Sequence, residues 1–468
     1  MRYIDLFSGA GGLSLGIKKA GGTLLYSNEM DFHASNTQKH NLKFLKEDER
    51  KVITSSIEDL HKEVIGKNIN VEYRSETVHS HQSMRDSYKQ TSQATPFQIK
   101  LIKSVSDVDL LVGGPPCQGF SNVARGKKKS FKESEHSFVD DPRNQLFKYF
   151  LDFVEFHSPK FVLIENVKGI TSAKDYLGLI MSSLRKTNPG YIARYDLNNA
   201  SNFSVPQNRE RVFVLGIRKD LKDAENLYFY FPQILESFKK LPQFVLEDAI
   251  SDLPKIRSNP KKNNAETIHE IEIGKKQSWG EDVSTKKYTE LIQQKQPYTK
   301  LINQFRGKQL KPTNLYNHKC RYNNDLDLKA YKLMKPGKYL NHKENFDAVQ
   351  IIPYGTEREN GVMKYTSSFV DKYFKLDPQK PSKTITAHLL RDNNGFIHYG
   401  KIPRGISIRE AARIQSFPDW FRFTGPFGNQ FKQIGNAVPP LLAEAYGKIF
   451  YTFLNYGFNE TLKLNSLK

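Results

Sequence analysis

The feature that most constrains this chain is a rhythm in roughly its first 220 residues. Five short apolar runs recur there: RYIDLF from Arg2, TLLYSNEM from Thr23, VDLLVGG from Val108, KFVLIENV from Lys160 and RVFVLGIR from Arg211. Each ends in polar or glycine-rich residues, as strands of a parallel sheet buried on both faces do. Between them lie helical patterns: Leu13, Ile17 and Ala20 share one face, and so do Leu146, Phe147, Phe150 and Val154. The alternation predicts an α/β fold, a mostly parallel sheet flanked by helices. Ligands of such sheets bind at the carboxyl ends of the strands, so those ends are where candidate chemistry is sought.

The first such end is DLFSGAGG, where Gly9, Gly11 and Gly12 permit a tight turn and close approach of a ligand to the backbone. A nicotinamide site calls for Gly-x-Gly-x-x-Gly facing a pyrophosphate, and here Ser14 stands in the third glycine's place. Glu29 closes the second strand, placed to accept hydrogen bonds from ribose hydroxyls. Turn and acid together fit an adenosine-bearing cofactor. The missing glycine favours S-adenosylmethionine, which needs no pyrophosphate cradle. The glycines alone would also suit a purely structural turn.

The strand VDLLVGG runs into GGPPCQGFS, which carries Cys117, one of two cysteines in 468 residues. Prolines 115 and 116 stiffen that turn. A lone cysteine is most often a small buried hydrophobe, the reading that fits Cys320. A cysteine in a rigid turn beside a cofactor site reads as a nucleophile. The next strand ends in Glu165, and Arg209 and Arg211 precede another strand. Nucleophile, acid and guanidinium donors are therefore expected on neighbouring strand ends. Singly, Glu165, Arg209 and Arg211 could be structural ion pairs.

Elsewhere the rhythm breaks. Residues 61–105 are polar and read as an insertion; its His79 and His81 read as surface histidines, and no metal site is expected. From about Leu221 to Pro381 the α/β pattern is lost. The segment Lys295–Tyr322 holds seven Lys/Arg and no acid, interleaved with Tyr298, Phe305, Tyr316 and Tyr322. Such a segment suits phosphates, with aromatics that stack on bases or form a small core; a solvated basic face would read the same. Order returns in ISIREAARIQSF and PPLLAEAYGKIF, both helical. The charge balance of 71 Lys+Arg against 50 Asp+Glu, a formal +21, favours a polyanionic partner, nucleic acid first and an anionic membrane second. No apolar run approaches the ~18 residues needed to span a bilayer. The amino terminus carries no signal-peptide pattern, and two cysteines make no disulfide framework, so a reducing, cytoplasmic setting is expected.

Six ordered segments, DLFSGAGG, GGPPCQGFS, ENV, QNRERVF, REAARIQSFPD and QIGNAVPP, resemble the motifs of the DNA (cytosine-5) methyltransferase family, and together they span residues 3 to about 450. The resemblance implies a Rossmann-like S-adenosyl-L-methionine-dependent domain over 1–225, a smaller irregular target-recognition domain over 226–425, and a return to the first domain over 426–468. It implies a mechanism in which the target cytosine is flipped from double-stranded DNA, Cys117 attacks ring carbon 6, Glu165 acts at ring nitrogen 3, Arg211 contacts the cytosine oxygen and Arg209 supports the pocket. It places Phe7 and Met30 against the adenine, Gly9 and Gly11 near the methionine part and Glu29 on the ribose. Pro116, Leu146, Asn436 and Val438 complete the site. Two departures stand out: Met30 replaces a bulky aromatic, and Ser56 stands where the family has an Asp for the adenine amino group, which leaves Ile57 as the contact there. The basic loop between Cys117 and Arg143 corresponds to a mobile loop that closes over DNA. A monomeric, stand-alone bacterial or phage enzyme paired with a restriction nuclease is expected. The rivals are a tRNA cytosine-5 methyltransferase, disfavoured by the missing Cys-Phe-Thr signature and the long variable region, and a non-catalytic DNA-binding regulator, disfavoured by the intact Cys117, Glu165 and Arg211. A nicotinamide oxidoreductase is a remote third.

Overall fold

The computed structural model describes residues 1–67, 93–116, 146–172, 174–239, 241–259, 296–352, 356–365, 372–391 and 393–466. They form two compact units. One comprises Met1–Phe203, Arg209–Leu241 and Val438–Lys468; the other comprises Ser204–Asn208 and Pro242–Ala437.

The first unit is built on a seven-stranded sheet. Its strands are β1 (Arg2–Leu6), β2 (Thr23–Glu29), β3 (Val52–Thr54), β4 (Leu110–Gly113), β5 (Phe161–Val167), β6 (Tyr191–Asn199) and β7 (Glu210–Arg218), in the spatial order β3-β2-β1-β4-β5-β7-β6. β1 to β5 are mutually parallel where they pair, and β7 runs antiparallel to both β5 and β6. The run RVFVLGIR is therefore a buried strand, as its composition indicates, but reversed in direction. An antiparallel neighbour needs no crossover helix. Between β6 and β7 the chain turns back directly, closed by Ala200 N–H to the Arg209 carbonyl at 2.9 Å and Arg209 N–H to Asn199 Oδ1 at 2.9 Å. The central strands are buried on both faces: Leu110, Leu111, Phe161, Val162 and Leu163 expose nothing.

Helices α1 (Gly12–Lys19), α2 (Phe32–Phe44), α3 (Ile57–Val64), α4 (Pro96–Ser104), α5 (Leu146–His157), α6 (Lys174–Lys186) and α7 (Ala224–Phe238) flank the sheet. The chain returns to this unit in the long helix Pro440–Leu462, which lies against α1. Glycine makes that approach possible. A Cβ on Gly16 would fall 2.4 Å from both the Ala443 Cβ and the Pro440 carbonyl oxygen, and one on Gly447 would fall 2.8 Å from the Ala20 Cβ. The same helix sets Phe450 on Phe161 and Tyr446 on Phe213, with ring centroids 4.9 and 4.5 Å apart.

Among its described residues the second unit has only short helices and strands, and side chains satisfy several of its buried carbonyls. Arg409 donates to the carbonyls of Tyr316, Pro418 and Phe421 at 2.8, 3.0 and 2.7 Å. The helix Ile408–Ile414 starts with a capping box in which Ser407 and Glu410 cap each other's backbone. Glu410 also takes a bidentate ion pair from Arg404 at 2.6 and 2.7 Å, and Arg413 pairs with Asp419 and Asp252. The aromatics of the basic segment join this interior: Tyr298 is fully buried and donates to the Arg413 carbonyl, and Phe305 packs edge-on against Trp420 at 5.8 Å. Lys300, Arg306, Lys308 and Lys311 stay exposed, with Arg306 and Gly307 in left-handed conformation at the turn of the hairpin Gln304–Gln309. Cys320 is buried, its thiol directed at the Gly405 carbonyl, and burial pushes its pKa up to about 12, the behaviour of an inert core thiol. Among the described residues no helix is long and apolar enough to cross a membrane.

Candidate active site at the strand ends of the sheet

The glycine turn after β1 is drawn into shape by left-handed residues, Phe7 (φ 56°), Gly9 (φ 56°) and Gly11 (φ 87°). Phe7 is a non-glycine residue in that region, a conformation that needs support from its surroundings. Glu29, at the end of β2, supplies some of it: one carboxylate oxygen accepts Gly9 N–H at 2.7 Å and the other accepts Asp31 N–H at 2.7 Å. Asp31 in turn caps α2. Nothing would lie within 4 Å of a Cβ on Gly9, so the turn leaves open space beside it. An open turn with backbone amides beside a half-buried carboxylate fits the ribose and amino-acid parts of an adenosine-bearing cofactor.

Met30 is half-buried next to Glu29. Ser56 is the N-cap of α3: it accepts Asp59 N–H at 3.0 Å and donates to the Asp59 carboxylate at 2.7 Å. The side chain at this position is committed to its own helix. Ile57 is 4% exposed and belongs to the main hydrophobic core. Leu146, the first residue of α5, and Phe7 pack against the same core from its rim, and Pro116 is half-buried. Asn436 ends the helix Phe427–Asn436 of the second unit and is exposed, whereas Val438 is a buried residue of the first unit.

β4, β5 and β7 are successive strands of the sheet. Because β7 is antiparallel, its amino end lies beside the carboxyl end of β5, with Arg211 opposite Val167 and Phe213 opposite Glu165. Arg211 Nε meets Glu165 Oε1 at 3.0 Å. Arg209 is 1% exposed and its charge also acts on Glu165. Burial raises the Glu165 pKa above the ordinary carboxylate range although both arginines pull it down. The two guanidinium groups are pressed the other way, chiefly by burial, and Arg209 further by the charge of Arg211. The result is a mostly buried cluster of two cations and an acid that keeps its proton more readily than usual. The acid and both arginines read from the sequence are thus brought together; Cys117 and the loop to residue 145 lie outside the described residues, as do His79 and His81.

Three residues of the quoted motifs contribute through contacts that the sequence alone does not show. Asn166 donates from Nδ2 to the Pro115 carbonyl at 3.1 Å, tying the end of β5 to the turn that leads to Cys117. Gly114 clears room for the acid, since a Cβ there would lie 3.2 Å from Glu165 Oε2. Asp5 is fully buried on β1, and among the described residues neither oxygen makes a hydrogen bond of ordinary geometry. Burial and the nearby Glu29 charge hold its pKa well above the ordinary carboxylate range, against a smaller pull from the Ser14 backbone.

An α/β sheet with a glycine turn, a β2 acid and an acid–guanidinium pocket on adjoining strands defines a cofactor-dependent transferase in outline. The sequence matches the profile of C-5 cytosine-specific DNA methylases over residues 1–71 and 65–451, and the chain belongs to that family; it is a DNA (cytosine-5) methyltransferase. Among its relatives, the type II methyltransferase M.AgeI of Thalassovita gelatinovora is 32% identical over 485 residues, covering 95% of this chain and 98% of that protein. The type II methyltransferase M.DdeI of Desulfomicrobium norvegicum is 31% identical over 461 residues, covering 95% and 87%. The fold is shared with a crystal structure of a prophage-encoded DNA modification methyltransferase from E. coli, at a TM-score of 0.59 and 24% identity over 97% of this chain and 99% of that one.

Proposed function

We propose that this enzyme methylates carbon 5 of a cytosine in a specific duplex sequence, with S-adenosyl-L-methionine as donor, and protects that sequence from a partner restriction nuclease. The observation that carries the reading is the Glu165–Arg211 contact at 3.0 Å between β5 and β7, with β5 paired to β4, the strand that precedes Cys117 in sequence. Chemistry on a base requires it out of the stack. The Cys117 thiolate then forms a bond to ring carbon 6, and the ring electrons move toward nitrogen 3. Glu165, held protonated more readily than an ordinary carboxyl, hydrogen-bonds or protonates nitrogen 3, so charge does not build on the ring. Arg211, already fixed by Glu165, is available to the cytosine oxygen, and buried Arg209 keeps the pocket positive. Carbon 5 becomes nucleophilic. The cofactor, when bound, supplies an electrophilic methyl group there, with Glu29, the Gly9–Gly11 amides, Phe7 and Met30 as the groups that would hold it. Loss of the carbon 5 proton and expulsion of the thiolate restore the ring and the enzyme.

The exposed Lys300, Arg306, Lys308 and Lys311 of the second unit suit the phosphates of the duplex. Bisulfite sequencing of DNA from cells expressing the protein gives activity and site together: one methylated sequence context is expected. Cys117→Ser should leave that pattern blank while the protein still binds S-adenosyl-L-methionine. A serine variant keeping more than about a hundredth of the turnover would remove Cys117 from the nucleophile role.

A further inference from the structure

Gln38 lies on α2, a helix whose remaining polar residues give it the look of a surface helix, yet it is only 5% exposed. Its amide makes three hydrogen bonds. Nε2 donates to the Gly9 carbonyl at 2.7 Å and to Ser8 Oγ at 2.7 Å, and Oε1 accepts from Ser27 Oγ at 2.9 Å. The orientation is fixed by matching donors to acceptors. A carbonyl can only accept, and Ser8 Oγ already donates to the Asn28 carbonyl at 3.1 Å, so both need the nitrogen of Gln38 facing them. The aliphatic part of the same side chain fills the space a side chain at Gly11 would need, with Gln38 Cγ 3.1 Å from a Cβ placed there.

The peptide units around Gly9 are therefore gripped from two sides. Glu29 of β2 holds the Gly9 N–H at 2.7 Å, and Gln38 of α2 holds the Gly9 carbonyl at 2.7 Å. We infer that Gln38 is a positioning residue for the cofactor turn, clamping Gly9 by its carbonyl so that the turn keeps its open form while Glu29 engages a ligand. The inference rests on the cofactor reading given above. A buried amide whose two donors are committed to the turn and whose oxygen is anchored on β2 is costly to disturb, because each lost partner leaves a desolvated group behind. The clamp acts through the turn and does not need to touch the cofactor.

Three variants separate the parts of the clamp. Gln38→Met keeps length and packing and removes all three hydrogen bonds. Gln38→Glu keeps an acceptor for Ser27 and turns the donor facing Gly9 into a repelling oxygen. Ser27→Ala removes only the anchor of Oε1. In the protein without cofactor, amide hydrogen exchange of Ser8–Gly12 should speed up by about tenfold in Gln38→Met, more in Gln38→Glu and least in Ser27→Ala. Calorimetry with S-adenosyl-L-methionine should show dissociation constants rising in the same order, by about tenfold in Gln38→Met, with kcat at saturating cofactor changed by less than about twofold. A folded Gln38→Met with unchanged exchange in the turn overturns the clamp, and so does a kcat loss without an affinity loss. Should Gln38→Met not fold, Ser27→Ala decides: unchanged exchange and affinity overturn the inference. Wild-type protein that binds no S-adenosyl-L-methionine would instead defeat the cofactor reading, while the exchange result still judges the clamp.

Discussion

Buried charge is handled in opposite ways in the two units. In the second unit Arg404 and Glu410 are fully buried and make two hydrogen bonds to each other, and Glu410 is also held by the Ser407 N–H at 2.7 Å. The pairing more than offsets burial: Glu410 is pulled well below the ordinary carboxylate range and Arg404 is raised. At the strand ends of the first unit the balance reverses. Burial outweighs pairing for Glu165, Arg209 and Arg211, and Asp5 is raised by burial and by the charge of Glu29. Charges that are fully compensated hold a fold together. Charges kept in an uncomfortable state mark a place where another group is meant to arrive. Arg404 and the arginines of QNRERVF look alike in sequence and differ in this respect.

Exchanging one acid in each unit for its amide gives the largest test of that contrast. Glu410→Gln leaves Arg404 buried without its counter-charge and should cost about 3–5 kcal/mol of stability, read as a lowered denaturant midpoint. Glu165→Gln should leave the midpoint nearly in place and lower turnover by about 10²–10⁴-fold, because an amide cannot pass a proton to nitrogen 3. A Glu165→Gln protein that unfolds early yet turns over normally when folded would erase the distinction.

The next effect concerns the turn. Glu29→Ala removes an acceptor for ribose hydroxyls and also frees the Gly9 and Asp31 amides. The affinity for S-adenosyl-L-methionine should fall by about 1.5–3 kcal/mol in calorimetry, and unchanged affinity would move the cofactor elsewhere. The second unit offers a milder test. Replacing Lys300, Arg306, Lys308 and Lys311 by Ala should flatten the dependence of log affinity for DNA on log salt by ~0.9 for each phosphate that the variant no longer neutralises, with cofactor affinity the same. An unchanged slope would make the segment a solvated face only.

What can be read in the sequence follows from which signals are local. Strands β1, β2, β4, β5 and β7 are legible because burial on both faces demands unbroken apolar runs. β6 is not, since Tyr191–Asn199 mixes Arg194, Asp196 and Asn198 into an edge strand that leaves Tyr195 and Leu197 exposed. β3 is only three residues long. The direction of β7 is a property of its connection and leaves no trace in its composition. Glu29, Glu165 and Arg211 are legible because acids and arginines at strand ends are unusual. Gln38 is not, because an amide on a polar helix looks like surface until the partner carbonyl is placed beside it; Asn166 is legible only within ENV, without its bond to the Pro115 carbonyl. The basic segment divides along the line that composition leaves open, with Tyr298 and Phe305 in the core, Lys300, Arg306, Lys308 and Lys311 exposed, and Lys319 and Arg321 half-buried.

The smallest expected effect is the most direct probe of uncompensated burial. Asp5 takes up a proton more readily folded than unfolded, because burial and Glu29 disfavour its charge. The unfolded chain releases that proton near the ordinary pKa of about 4, and the folded chain keeps it to higher pH. Over that window the native state binds more protons, so the contribution of Asp5 to stability is fully present below about pH 4 and is lost as pH rises toward the folded value. Asp5→Asn keeps the shape and removes the titration. Its melting temperature relative to wild type should therefore climb between about pH 4 and pH 8, the sign opposite to that of an acid held by a cation. For Glu410→Gln the comparison should run downward as pH rises toward about 4 and stay level above it, since Glu410 keeps its charge well below the ordinary carboxylate range. A level or falling trend for Asp5→Asn above about pH 4 would mean that Asp5 is compensated after all and that the contrast between the units does not extend to β1.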